Sequence, residues 1–240
     1  MPFTLSHSAA ALPLARRPLV PAALVAGTLV PDVALFVSLP SYASTHSLAG
    51  VFTSDLLLGI ALLLVWYGLL REPLLALAPA WVGARVPPRR RWSVRDLFGV
   101  PVSICIGAGT HVLWDSFTHV RGIAIWGWEW LGARPFGLLP VYDILQVISS
   151  VAGLVMLAWW VACRPRLATP APRQESPSRP FVLGAVVAVA CVCSILYASG
   201  AISFGLRAIV YEAIVGAVTG TAFVLGGYAT AWRVRMALRG

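Results

Sequence analysis

"LFGVPVSICIGAGTHVLWDSFTH", residues 97–119, decides how this chain is read. A helix needs about 20 mostly apolar residues to cross a bilayer, and this run is long enough. Its second half nevertheless carries His111, Asp115 and His119 at four-residue steps, in a chain with only four histidines. An aspartate at membrane depth costs about 2.5–3.5 kcal/mol on insertion scales, so it comes with a partner or a polar cavity.

The rest of the chain supports the bilayer setting. Of its 240 residues 59% are hydrophobic and 11% charged, where soluble domains carry about 25% charge. Mean hydropathy is +0.82. Apolar windows fall at about 18–39, 55–80, 97–119, 138–163, 181–203 and 208–232. Pro21, Pro31 and Pro73 predict kinks or early ends in the first two. Residues 3–15 are apolar but short, as in a half-spanning or interfacial helix. The fold class expected is all-α: a polytopic helical membrane protein of about six transmembrane helices plus a short N-terminal half-helix.

Arginine supplies every basic residue, and net charge is +9. Fifteen of the eighteen arginines flank or separate the windows on one side, and only Arg121, Arg134 and Arg207 fall on the other. The positive-inside rule then puts both Arg-rich ends in the cytoplasm of a multi-pass protein of the cell (inner or plasma) membrane. The arginines form no stripe, which excludes a nucleic-acid partner. "MPFTLSHSAAALPLARRPL" has its Arg-Arg pair after the apolar stretch, unlike a signal peptide, and is read as mature protein.

"RPRLATPAPRQESPSRP", 164–180, is a Pro/Arg-rich cytoplasmic linker. It divides a four-helix unit, 1–163, from a C-terminal transmembrane hairpin, 181–240, in which Gly216 and Gly220 have the small-xxx-small spacing of close helix packing. Cys105, Cys163, Cys191 and Cys193 show no ligand spacing and read as apolar packing residues.

All four histidines lie in the first unit, with Asp32, Asp55, Asp115 and Asp143. In the deduced topology Asp32 ends helix one, His46 follows in an outer loop, Asp55 begins helix two, 111–119 ends helix three and Asp143 begins helix four. All approach the non-cytoplasmic face. Four residues turn an α-helix by about 400°, so His111, Asp115 and His119 form one ridge about 12 Å long. His111 and Asp115 can grip one ion, as two histidines four apart do in zinc proteases. His119 falls to a second shell or a second metal. Asp55 after Ser54 also reads as a helix cap. Asp32 after Pro31 also reads as a turn residue, and His7 reaches the outer site only where the N-terminal segment re-enters.

The loop "RGIAIWGWEWLGARPFG" alternates Trp126, Trp128 and Trp130 around Glu129, between Arg121 and Arg134. Tryptophans gather at headgroup level. The loop reads either as an interfacial anchor or as a lid whose arginines meet a lipid phosphate.

"MPFTLSHSAAALPL", "ALVAGTLVPDVALF" and "GTHVLWDSFTH" resemble the bacterial membrane-protein family called domain of unknown function 4184, over about residues 1–160. More distantly, the motif order is similar to the inner-membrane metal-dependent hydrolases grouped with the LexA-binding membrane hydrolase. There an early histidine, a Pro-Asp, a Thr-His-Ser and a His-x-x-x-Asp helix occur in sequence. The matching positions are His7, Pro31-Asp32, Thr45-His46-Ser47 and His111 with Asp115. The chain departs from that group after Asp32, where Val33-Ala34-Leu35 stand in place of a further acid and histidine.

The function expected is a metal-dependent hydrolase acting on a lipid-linked phosphoester at the outer leaflet. Its metal ligands would be His7, Asp32, His46, His111 and Asp115, holding a divalent ion, zinc by its mixed imidazole and carboxylate donors. Asp55, His46 and His119 are the catalytic candidates, as general base, proton shuttle and auxiliary group. Membrane lipid is the expected partner. Two other readings stand beside it: a proton or divalent-cation transporter, and a non-catalytic scaffold around a structural metal or polar cluster.

Overall fold

The computed structural model describes residues 3–37, 40–89, 91–137, 139–171 and 176–238. No strand occurs among the described residues. Among the described residues, five helices are long and apolar enough to cross a membrane: Ser54–Leu77, Asp96–Thr118, Val141–Cys163, Arg179–Gly200 and Leu206–Ala237. Their outward faces carry large apolar side chains: Val155 is 63% and Trp159 64% exposed, and Ile195 is 68% exposed. Apolar surface repeated on that scale belongs in lipid, not water.

The first apolar window is shorter than expected. Its α-helix, α1 (Pro21–Leu29), has 9 residues, a rise of about 14 Å against a hydrocarbon core of about 30 Å. Pro31 has no N–H for the carbonyl one turn back, and the chain tightens into a 3-10 turn, Val30–Leu35, with Asp32 in its first turn. The expected set of about six helices is, among the described residues, five long helices and one short apolar one. The N-terminal half-helix is present as short turns, Thr4–His7, Ser8–Ala11 and Leu12–Leu14.

Helix α2 (Ser54–Leu77) contains a π turn at Trp66–Leu70. Helix α3 (Asp96–Thr118) begins where the Asp96 carboxylate accepts from Ser93 N at 2.7 Å and Ser93 Oγ at 2.9 Å, the back-bond of a capping box. Helix α4 spans Val141–Cys163. Helices α5 (Arg179–Gly200) and α6 (Leu206–Ala237) form the C-terminal hairpin.

The chain folds into two compact units, each built from segments that are not contiguous in sequence. One comprises Met1–Leu63 and Arg90–Pro165, the other Leu64–Arg89 and Arg166–Gly240. In the second, Leu167 N donates to Ala84 O at 2.9 Å and Ala171 N to Val86 O at 2.8 Å. Glu72 pairs with Arg233 of α6 as well as with Arg71. These bonds, between segments far apart in sequence, draw 64–89 to the hairpin. Residues 172–175 of the linker lie outside the described residues. Within the hairpin a Cβ at Gly216 would run into Cys193 O, and one at Gly220 would meet Val189 O at 2.9 Å, so both positions are close helix crossings.

Inside the first unit the decisive crossing is α1 against α3. A Cβ at Gly107 would run into Leu24 O and one at Gly27 into Ile104 O, so the two backbones touch. Leu24, Ile104 and Ala108 are fully buried there.

Candidate metal centre

That crossing aims His111. With the backbones in contact, His111 Nδ1 lies 2.8 Å from the Thr28 carbonyl oxygen. A carbonyl only accepts, so Nδ1 carries the proton and Nε2 is left as a lone-pair donor. Two other histidines are fixed the same way. His46 Nδ1 faces Tyr42 O at 3.2 Å, and His119 Nδ1 faces Asp115 O at 3.1 Å.

His46 stands between two one-turn helices, Tyr42–Thr45 and Leu48–Phe52. Ser41 caps the first, and Ser47 caps the second by accepting from Gly50 N at 2.9 Å. Thr45 Oγ1 donates to Pro31 O at 2.8 Å, tying this loop to the 3-10 turn that carries Asp32. The Tyr42 ring stacks on His46 at 3.7 Å.

These constraints bring Asp32, His46, His111 and Asp115 together, all buried, with one donor atom from each within 4.8 Å of every other. His46 Nε2 lies 3.6 Å from Asp32 Oδ1 and 3.3 Å from Asp115 Oδ2. His111 Nε2 lies 3.5 Å from the same two oxygens. Four ligands at 2.0–2.1 Å around a tetrahedral ion are about 3.4 Å apart, and the four histidine–aspartate separations are close to that value. None of the four atoms has a hydrogen-bond partner, although each is buried. Groups this close that do not bond to one another are aimed at a common point between them. Two buried carboxylates also require compensating positive charge, which a divalent cation would supply.

The other expected residues take distinct places. His7 is 4% exposed; its Nε2 lies 3.4 Å from Asp115 Oδ1, outside the quartet. The N-terminal turns reach this depth because Phe3 N donates to Ser150 Oγ at 2.9 Å and Ser8 Oγ bonds Thr28 Oγ1 at 3.0 Å. His119 breaks the expected ridge: α3 ends at Thr118, His119 has extended backbone, and its ring folds back toward Asp115. Asp55 is fully buried beside the cluster. Its Oδ1 accepts from Ser54 Oγ at 3.4 Å, and its Oδ2 has no partner. Asp143 is buried in the first turn of α4, outside the quartet.

Burial lowers the His7 imidazole to about 3, with His111 adding to the effect. Burial likewise lowers His119, against the attraction of Asp115. Both are therefore neutral donors near pH 7. His46 is also pulled down by burial, but the nearby negative charge of the Asp115 and Asp32 carboxylates outweighs this and raises it above its usual value.

One residue escaped the sequence reading. Thr4 Oγ1 donates to Asp32 Oδ2 at 2.7 Å and leaves only Oδ1 for an ion. The signal was a polar residue three before His7 in an otherwise apolar segment.

A cavity of about 30 Å³, the size of a water molecule, borders the cluster and is lined by Tyr42, His46, Asp115, Ser116, His119 and Arg121. Beside it the tryptophan loop folds into a stack: Trp126 on Trp128 at 5.6 Å and Trp128 on Trp130 at 5.9 Å. Trp126 Nε1 donates to Ser116 Oγ at 2.8 Å, anchoring the stack to the helix that carries Asp115. Arg134 is not among the residues lining the cavity.

Fold and site together define a polytopic helical membrane protein with a buried His/Asp cluster able to hold a metal ion. The chain belongs to the family described as domain of unknown function (DUF4184), which matches residues 1–229. The match extends well into α6, beyond the 1–160 over which the motifs carried the resemblance. No curated protein and no solved structure matches the chain.

Proposed function

We propose that this protein is a metal-dependent hydrolase of the cell membrane acting on a lipid-linked phosphoester at the non-cytoplasmic leaflet. The observation that carries the reading is the buried quartet of unpartnered donor atoms beside a water-sized cavity. Asp32, His46, His111 and Asp115 hold the ion, and the mixed nitrogen and oxygen donors suit zinc. A bound zinc lowers the pKa of a water to about 7 and polarises a phosphoryl oxygen.

The chain's own residues supply the rest. Arg121, at the cavity, meets the phosphate with charged hydrogen bonds. His119 is neutral and borders the same space, so it can accept a proton there. His46 holds its Nε2 toward the ion through its bond to Tyr42 O. Asp55 is the reserve base, buried with one unpartnered oxygen. The tryptophan stack sits at headgroup level.

One observation favours the scaffold reading. Four protein ligands can close a tetrahedral sphere, as structural zinc sites do, whereas catalytic sites keep an open position. The cavity at His46 and Asp115 is what favours catalysis. A transporter would need polar residues continuing through the membrane, and α5 and α6 offer Glu212 as their one acid and no histidine.

The test is metal analysis of the full chain purified in lipid nanodiscs, wild type beside His111→Ala and Asp115→Ala, followed by assay against phospholipid and isoprenoid phosphoesters. Bound metal in the wild type alone, with phosphoester cleavage, is expected. Absence of metal from the wild type ends the proposal, and bound metal without cleavage of either class assigns the scaffold instead.

A further inference from the structure

The two aspartates of the quartet differ in one respect. Asp32 has one oxygen engaged by Thr4 Oγ1, so a single oxygen faces the cluster. Asp115 keeps both oxygens buried and without hydrogen-bond partners. Its Oδ2 faces His46 and His111 of the quartet. Its Oδ1 faces His7 Nε2 at 3.4 Å and His119 Nδ1 at 3.7 Å.

His7 and His111 are stacked, with ring centroids 3.8 Å apart and planes 21° from parallel. Each brings its Nε2 to a different oxygen of the one carboxylate. Neither Nε2 is satisfied, and the His7 side chain is 1% exposed. A pair of metal ions bridged in a phosphoesterase-type site is about 3.5–4 Å apart, the spacing of this ring stack. His119 stays outside the set, because the nitrogen it turns toward Asp115 Oδ1 is the Nδ1 that Asp115 O fixes as protonated.

We propose that Asp115 is a bridging carboxylate and that the centre takes a second divalent cation, held by His7 Nε2 and Asp115 Oδ1. This rests on the metal-centre reading above and extends it. Two divalent ions against the quartet's two carboxylates leave net positive charge. That excess selects an anionic phosphoester over a neutral carboxylic ester, whose oxygens would not neutralise it. It also assigns the N-terminal turns a purpose, since they carry the one ligand that lies outside the first ion's sphere.

The test uses the full chain in nanodiscs, stripped of metal and reloaded with Mn(II), and reads stoichiometry by elemental analysis and ion coupling by electron paramagnetic resonance. Wild type is expected to hold two equivalents with an exchange-coupled spectrum. His7→Gln, which keeps a polar side chain, is expected to hold one equivalent with an uncoupled spectrum and to elute from size exclusion as wild type does. One equivalent in the wild type overturns the second site and leaves the hydrolase proposal standing; none overturns both. Two equivalents retained by His7→Gln, or both lost from a normally eluting His7→Gln, also overturn the assignment of a separate His7 ion.

Discussion

The Thr4→Val substitution probes the centre without touching any ligand of the quartet. Valine has nearly the shape of threonine but no hydroxyl, so Asp32 Oδ2 loses the donor that sits 2.7 Å away. A hydrogen bond to a charged group contributes about 1.5–3 kcal/mol. Asp32 is fully buried, so water does not replace the lost donor. Freed of that bond, the carboxylate can rotate and present either oxygen to the cluster, which removes the orientation that pre-forms the site. Outer-shell partners of metal ligands are worth about 10–100-fold in affinity, or about 1.4–2.7 kcal/mol at 1.4 kcal/mol per factor of ten. The two estimates agree. Competition against a chromophoric zinc chelator, with protein in nanodiscs, reads the change directly. Thr4→Ser restores the hydroxyl and should recover most of the affinity. A Thr4→Val protein that elutes normally and binds zinc as tightly as the wild type would refute the claim that Thr4 orients a metal ligand.

Three further outcomes follow from the geometry. Gly107→Val places a side chain against Leu24 O, with Gly27 Cα and Thr28 N both 3.0 Å from its Cβ; α1 and α3 must separate, at about 1–3 kcal/mol or more. Lower thermal stability with loss of bound metal is expected by fluorescence-detected size exclusion and elemental analysis, and an unchanged protein would contradict the crossing. Because His46 is raised above 6.5, an ion entering the site must displace its proton, so zinc affinity should fall about tenfold per pH unit on acidification through that region. His7, at about 3, stays neutral throughout and adds nothing to that slope; a flat affinity between pH 6.5 and 8 would count against His46 as a ligand. For sidedness, single cysteines replacing Ser47 or Trp128 in a cysteine-free background should react with an impermeant maleimide added outside intact cells, and labelling only after lysis would invert the topology.

The centre shows why local patterns carried some residues and not others. His111 and Asp115 were legible because helical spacing alone puts them on one face. The same spacing misled for His119, because α3 ends one residue earlier and the backbone turns away. The early end of the first apolar window was legible too, because Pro31 removes the hydrogen bond needed to continue the helix. That residues 64–89 group with the C-terminal segment was not legible, for a different reason. The bonds of Ala84, Val86 and Glu72 to the segment after 166 join residues far apart in sequence, and no local pattern signals them.

By itself the sequence determined that the chain is helical and membrane-embedded, because apolar length and charge scarcity depend only on composition along the chain. It also determined which side chains are out of place in lipid, since the cost of a buried carboxylate or imidazole is a property of the residue. The tertiary structure alone decided how these residues meet. Asp32, His46, His111 and Asp115 come from three separate segments, brought into register by the contact of Gly27 with Gly107 and the bond from Thr45 to Pro31 O. Only that packing shows Thr4 holding one oxygen of Asp32 while Asp115 keeps both of its own, a difference set by distance and direction in space.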